Sequence, residues 1–310
     1  MATMERVGGV AIPSRPVTVS PTGAGGRRRG IGLMLAGSAS AQAGAAVGAA
    51  AFPVLGPIGV TVVRQLVTAV VLGVGVRPRL RGLRRDQWLP VLAMVIVLGV
   101  MNVSLYLAVD RIGLGLAVTL EFLGPLAVAI AGSRRAVDLA CAVLAGVGVL
   151  VLTNPGPSSD LVGISLALIA AVGWGAYIHL NRALGQRLPG LQGTAAVAVV
   201  SGAVWVPLAV VWFSLFPPTL PAILLAVVCG VLGSVVPYVA DLLALRRIPA
   251  SLFGTMTSVN PVWAVAAGWL VLGQVLAPNE WLGIGIIVAA NVVVSARSLR
   301  PAPAEVAIAA

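Results

Sequence analysis

The sequence predicts an all-α integral membrane protein with ten transmembrane helices, arranged as two inverted five-helix repeats. Three observations predict it: an apolar composition, a series of apolar segments of membrane-spanning length, and eighteen of the twenty arginines falling in alternate gaps between those segments. The 310 residues are 59% hydrophobic and 9% charged, with a mean hydropathy of +1.04. That leaves too little polar surface to cover a soluble domain of this size. Lysine is absent, so arginine alone carries the positive-inside signal, which counts basic residues in short loops near membrane ends. The net charge of +11 is dispersed over those loops, where it faces anionic lipid headgroups rather than nucleic acid.

Residues 1–30 hold Arg6, Arg15 and the run Arg27 to Arg29 without an apolar stretch. They read as a disordered cytoplasmic tail, not a cleavable signal peptide. A spanning helix needs about 20 mostly apolar residues. Cutting the chain at its charged and Pro-rich gaps gives spans 31–50, 57–76, 88–108, 113–132, 138–154, 161–180, 192–213, 222–243, 250–271 and 281–297. With the amino terminus inside, the inner gaps contain Arg77 to Arg85, Arg134 and Arg135, Arg182 and Arg187, and Arg246 and Arg247. Arg297 and Arg300 also fall inside, in or beside the carboxy-terminal tail 298–310. The outer gaps hold Arg111 with Asp110, Asp160 and Glu280, and Arg64 falls within a span.

An odd number of helices per half places two halves in opposite orientation. A shift of 136 residues matches Ala108, Arg111, Ile112, Leu116, Pro125 and Gly132 with Ala244, Arg247, Ile248, Leu252, Pro261 and Gly268. A shift of 131 brings Gly32, Leu35, Ala36, Ala39, Gly44 and Ala45 onto Gly163, Leu166, Ala167, Ala170, Gly175 and Ala176. The first repeat is therefore expected over 31–154 and the second over 161–297. The 37 glycines and many alanines suit close helix packing in lipid.

Charged groups inside the spans are costly, about 2.5–3.5 kcal/mol each at the bilayer centre, so they mark function or pairing. Arg64 and Glu121 come about 11 and 12 Å from the outer ends of their helices at the α-helical rise, with Gln42 and Asn102 at about 12 and 9 Å. That layer forms either a substrate site, Arg64 forking onto a carboxylate and Glu121 facing an ammonium group or carrying a proton, or a structural Arg64–Glu121 ion pair capped by the two amides. In the second half, Asp241 precedes Arg246 and Arg247 and reads as one partner of an interfacial pair or as a proton site. His179, the single histidine, lies near a helix end and suits the interface more than a relay. Cys141 and Cys229 sit alone in apolar runs as packing residues, and no metal-ligand spacing occurs. Trp174, Tyr177, Trp205, Trp212, Trp263, Trp269 and Trp281 divide between pathway lining, aromatic belts and core. Pro125, Pro237 and Pro261 within helices free backbone carbonyls. A membrane enzyme on lipid or isoprenoid substrates would need clustered acids or a nucleophile with its base, neither of which the chain offers. A scaffold or receptor would need a larger loop.

The run Arg111 to Ala129, followed by Ser133-Arg134-Arg135, resembles the threonine/homoserine exporters of the EamA-type branch of the drug/metabolite transporter superfamily. Further similar pieces are Gln42 to Ala45, Phe52-Pro53 through Gly56, Gly59-Val60-Thr61 with Arg64, Met101-Asn102 with Tyr106, Gly173 to Ile178, Pro237-Tyr238 through Asp241, Ala244-Leu245 and Phe253 to Thr255. The resemblance spans nearly the whole chain after residue 30. It implies secondary-active export of small metabolites, amino acids such as threonine and homoserine first, by alternating access with proton antiport. Another solute, such as a drug, purine or sugar derivative, is the alternative cargo. Arg64, Glu121, Gln42, Asn102, Tyr106, Trp174, Tyr177 and Asn260 are the candidate substrate contacts, and Glu121 and Asp241 the candidate proton carriers. The expected setting is the bacterial cytoplasmic membrane, multi-pass, with both termini cytoplasmic. The expected partners are a small molecule and the lipid bilayer, with no cofactor, metal or nucleic acid; monomer and homodimer are both open. Three departures stand out: Asn260-Pro261 where the family usually has Glu-Pro, Gly273-Gln274 where it has Gly-Glu, and Gly113 for a proline.

Overall fold

The computed structural model describes residues 24–131, 136–154, 160–188, 191–245, 247–248 and 257–297, and the described residues are helical without strands. The helices are α1 (Ala24–Ala49), α2 (Phe52–Val76), α3 (Arg85–Ile112), α4 (Leu114–Glu121), α5 (Leu123–Ala131), α6 (Ala136–Thr153), α7 (Leu161–Arg187) and α8 (Gln192–Leu215). They are followed by α9 (Leu220–Gly230), a π-helical turn (Val231–Val235), α10 (Val236–Leu245), α11 (Asn260–Leu272) and α12 (Pro278–Arg297). Among the described residues, seven helical stretches are long and apolar enough to cross a membrane, and Leu114–Val128, Asn260–Leu272 and Pro278–Val294 are shorter apolar stretches. Helix α1 begins at Ala24, inside the segment read as a tail. The tail before residue 24, the carboxy-terminal tail, and residues 250–256 of the ninth expected span lie outside the described residues.

Local chemistry explains where these helices start, stop and break. Helix α2 is interrupted at Gly56 (φ 67, ψ 165), which only a residue without Cβ adopts freely, and Pro57 restarts it with its φ already set. Gly113 ends α3 at φ 80, a conformation closed to the proline the related family carries there. The span expected over 113–132 breaks at Phe122, because Pro125 lacks the N–H that would bond the Glu121 carbonyl and its ring crowds it. In the same way Pro237 cannot bond the Gly233 carbonyl, and there the chain widens into the π-helical turn.

Helix packing places the polar side chains. Helix α1 lies on α9, the π turn and α10, and α7 lies on α3; α2 packs on α8, α6 on α12 and α4 on α11. Helix α1 also packs on α11 and α7 on α4 and α5, while α2 touches α9 and α3 touches α8. Small residues make the approaches close: Gly44 meets the backbone of Gly233, and Gly124 meets the carbonyl of Ala171, so a Cβ at either would collide with main chain. The main core gathers Phe52, Tyr106, Leu114, Leu120, Phe122 and Cys229 at the centre of the bundle. Val70, Leu89, Ile96, Val172 and Leu270 point outward and exposed, the distribution expected where the surrounding solvent is hydrocarbon.

The shorter helices are tied in by side chains. Gln274 Oε1 accepts from the Leu114 backbone N–H at 3.0 Å and packs against Gly113, so this residue caps α4. Gln274→Leu is expected to lower thermal stability by about 1–2 kcal/mol, the usual loss of a helix cap, whereas Gln274→Glu keeps the acceptor and stays near wild type; unfolding in detergent checks both. Asp160 accepts from Gly163 N–H at 2.8 Å as the N-cap of α7 and pairs with Arg111 Nε at 3.0 Å. The Gly163 N–H, and then Arg111, hold its carboxyl below the usual carboxylate range. A depressed pKa in the folded state gives stability that is present above the unfolded value of about 3.9 and lost as pH falls through the folded one. Asp160→Asn should therefore flatten the acid limb of an unfolding-versus-pH curve below about pH 4.

Candidate functional site

Arg64 is the anchor of the site. Its Nε donates to Ser234 Oγ at 2.9 Å, Nη1 to Tyr106 Oη at 3.0 Å and Nη2 to the Gly233 carbonyl at 3.1 Å. Two of these partners come from the π turn, and the Gly233 carbonyl is the one that Pro237 leaves without its helical donor. Tyr106 is fully buried, lies 5.5 Å under the guanidinium, stands edge-on to Phe52 at 5.7 Å, and meets Cys229 Sγ at 3.1 Å. The guanidinium thus has three neutral partners, and two of its five N–H donors remain.

Glu121 closes α4 and is only 4% exposed. Among the described residues no hydrogen bond or ion pair reaches its carboxyl, although it lies within the electrostatic field of Arg64. Of the two arrangements open from the sequence, the Arg64–Glu121 ion pair does not form among the described residues. Gly233 and Ser234 hold the guanidinium instead.

Other expected members fare differently. Gln42 sits at this level on α1, next to Ala41 and near Ser40, whose hydroxyl bonds the Leu232 carbonyl at 2.8 Å; among the described residues its own amide makes no hydrogen bond. Asn102 turns back on its own helix and donates to the Leu98 carbonyl at 2.7 Å, so it does not cap Arg64 or Glu121. Trp174 stands edge-on to Phe122 at 4.5 Å, bracing the break between α4 and α5. Asn260 is buried at the start of α11. His179 is exposed. Trp212 bonds the Leu55 carbonyl at 3.0 Å and fills the space left by Gly56 and Gly59, while Trp269 and Trp281 are exposed.

Toward the arginine-rich end of α2 a second polar cluster encloses a cavity of about 30 Å³, lined by Gln65, Thr68, Tyr177, Asn181, Ser201 and Tyr238. That is room for one or two waters. Tyr177 belongs to this cavity and not to the Arg64 layer. Asp241 sits within the electrostatic reach of Tyr177 and Tyr238; of its two expected partners, Arg247 donates to the Leu243 carbonyl at 2.7 Å and Arg246 lies outside the described residues. Sequence reasoning missed Ser234, Gly233, Gln65 and Ser201. For Gly233 a signal existed, namely the proline four residues on; small hydroxyls in apolar helices gave none.

A half-buried arginine held inside a bundle of apolar helices defines a membrane protein with a polar site within it. The model of the EamA-like transporter family matches residues 161–296. The threonine/homoserine exporter RhtA of Escherichia coli K12 is 35% identical over 272 residues, covering 84% of this chain and 88% of that protein. RhtA of Salmonella typhimurium LT2 shows the same identity and coverage, and the uncharacterized transporter YwfM of Bacillus subtilis is 26% identical over 53% of this chain. A solved crystal structure shares the fold with a TM-score of 0.55 and 19% identity, covering 89% of this chain and 99% of its own. The chain belongs to the EamA-like family of membrane transporters within the drug/metabolite transporter superfamily, on its RhtA-like branch.

Proposed function

We propose that this transporter exports small hydroxylated amino acids, threonine and homoserine first, across the bacterial cytoplasmic membrane by proton-coupled alternating access. The observation that carries the proposal is the pair of unjoined opposite charges: among the described residues Arg64 keeps two free donors and meets no anionic partner, and Glu121 is buried without a hydrogen bond. A zwitterion completes both. Its carboxylate takes the two remaining guanidinium N–H groups, and its ammonium group takes Glu121. After release, a proton on Glu121 neutralises the carboxyl and permits the return of the empty bundle. The names of the curated relatives point to the same cargo.

Helix packing supports the ten-helix inverted repeat. Exchanging α1 with α7, α2 with α8, α3 with the α9–α10 unit, α4–α5 with α11, and α6 with α12 maps each of the principal contacts onto another or onto itself. The three shorter apolar stretches then complete the seven long ones, with Pro125 and Pro261 at equivalent places in the two fourth helices. The positive-inside bias puts the arginine-rich ends, and the small cavity beside Tyr177 and Tyr238, on the cytoplasmic side. That cavity is too small for an amino acid, so passage on this side requires α2, α8 and α10 to part.

The test is efflux of preloaded labelled threonine and homoserine from proteoliposomes, with and without an imposed pH gradient. Gradient-dependent efflux of both is expected. Absence of flux for either amino acid, together with flux of a drug, purine or sugar derivative, would move the cargo to that class.

A further inference from the structure

At the start of α11 two buried polar atoms lack partners among the described residues: Asn260 Oδ1, an acceptor, and Trp263 Nε1, a donor. Asn260 is 9% exposed. The two residues are three apart on one helix, so they share a face with their Cβ atoms about 5–6 Å apart. Buried groups left in this condition cost about 1–3 kcal/mol each, which makes an orphan donor beside an orphan acceptor a feature that needs a reason.

Asn260 shares its depth along the bundle with Glu121, and Trp263 lies within one turn of it on α11. Gly115 of α4 packs against Val265 of α11, and Leu114 against Gly268, so the two helices run antiparallel in a fixed register. From the Gly115–Val265 contact, six residues along α4 lead to Glu121 and five back along α11 lead to Asn260. At about 1.5 Å per residue both lie some 8–9 Å from that contact, on the same level. A carboxylate there would satisfy Trp263 but face the lone pairs of Asn260 Oδ1, and an ammonium group would do the reverse. A hydroxyl satisfies both, since it donates one hydrogen and accepts at its oxygen.

We infer that Asn260 Oδ1 and Trp263 Nε1 form the subsite for the side-chain hydroxyl of the transported amino acid, a residue pair that sets specificity. The inference rests on the amino-acid reading proposed above. The hydroxyl hydrogen goes to Asn260 and the hydroxyl oxygen receives the indole N–H, while Arg64 and Glu121 hold the charged end.

The experiment compares kcat/KM for threonine and for 2-aminobutyrate, which lacks only the hydroxyl, in proteoliposomes of the full chain, its Asn260→Leu variant and its Trp263→Phe variant. The intact protein is expected to prefer threonine by about 10- to 100-fold, the range set by leaving a buried partner unbonded. In each variant that preference should fall at least about fivefold, because one of the two hydroxyl bonds is gone. A merely structural role lowers both substrates together and leaves the ratio alone, which overturns the subsite, as does an intact protein with no preference. Loss of flux for both amino acids in the intact protein would overturn the functional reading itself, and the subsite with it. Trp263→Phe keeps the ring and removes only the N–H, so the ratio is readable even where Asn260→Leu fails to insert.

Discussion

Arg64→Gln is expected to reduce threonine efflux at least about 100-fold while the protein still inserts. The substitution removes the charge that meets the carboxylate, and the loss of one partner from a desolvated charge pair costs about 3–5 kcal/mol, or two to three powers of ten. It also withdraws the donor from the Gly233 carbonyl, which Pro237 has already deprived of its helical partner. Arg64→Lys is expected to fail nearly as badly. Lysine keeps the charge but presents a single ammonium, which cannot hold Ser234, Tyr106 and Gly233 and also fork onto a carboxylate. Membrane abundance measured beside flux separates loss of transport from loss of protein. Full activity in both variants would remove Arg64 from the site.

Glu121→Gln is expected to abolish the stimulation of efflux by a pH gradient and to weaken threonine binding about 10- to 100-fold, the value of a charge-assisted hydrogen bond of about 1.5–3 kcal/mol. The amide has nearly the same shape, so the core around Leu120 and Phe122 should be undisturbed. The two effects separate the two roles given to this residue. A variant with normal affinity but no gradient response carries protons only; one with poor affinity and an intact response binds the ammonium only. Glu121→Gln with both properties unchanged would take the carboxyl out of the mechanism.

How legible the site was from sequence depends on which force decides each part. Arg64 and Glu121 were readable because an ionisable group inside an apolar span is expensive, and such spans are long and obvious. Their separation was not readable. Depth from the helix ends put Gln42, Asn102, Arg64 and Glu121 in one layer, but depth says nothing about direction around a helix, and Asn102 turned out to bond its own helix. Tyr106 fell in a matching piece of sequence without any indication that its hydroxyl would hold the guanidinium. The interruptions in the helices were partly visible, since Pro125 and Pro237 must each free a carbonyl four residues back. What receives that carbonyl is a tertiary fact; for Gly233 it is a side chain from 169 residues away. Gln274 shows the opposite case, in which a residue that stands out in the sequence as a departure from the family pattern caps α4.

The measurement that tests the central claim most directly is displacement of labelled threonine from the purified protein by homoserine and by threoninol, which lacks the carboxylate. If Arg64 receives the carboxylate, homoserine should compete at a concentration similar to threonine and threoninol should need at least about 100 times more, with the difference collapsing in Arg64→Gln. Equal competition by threoninol in the intact protein would contradict the account, since the free donors of Arg64 would then have no part in holding the cargo.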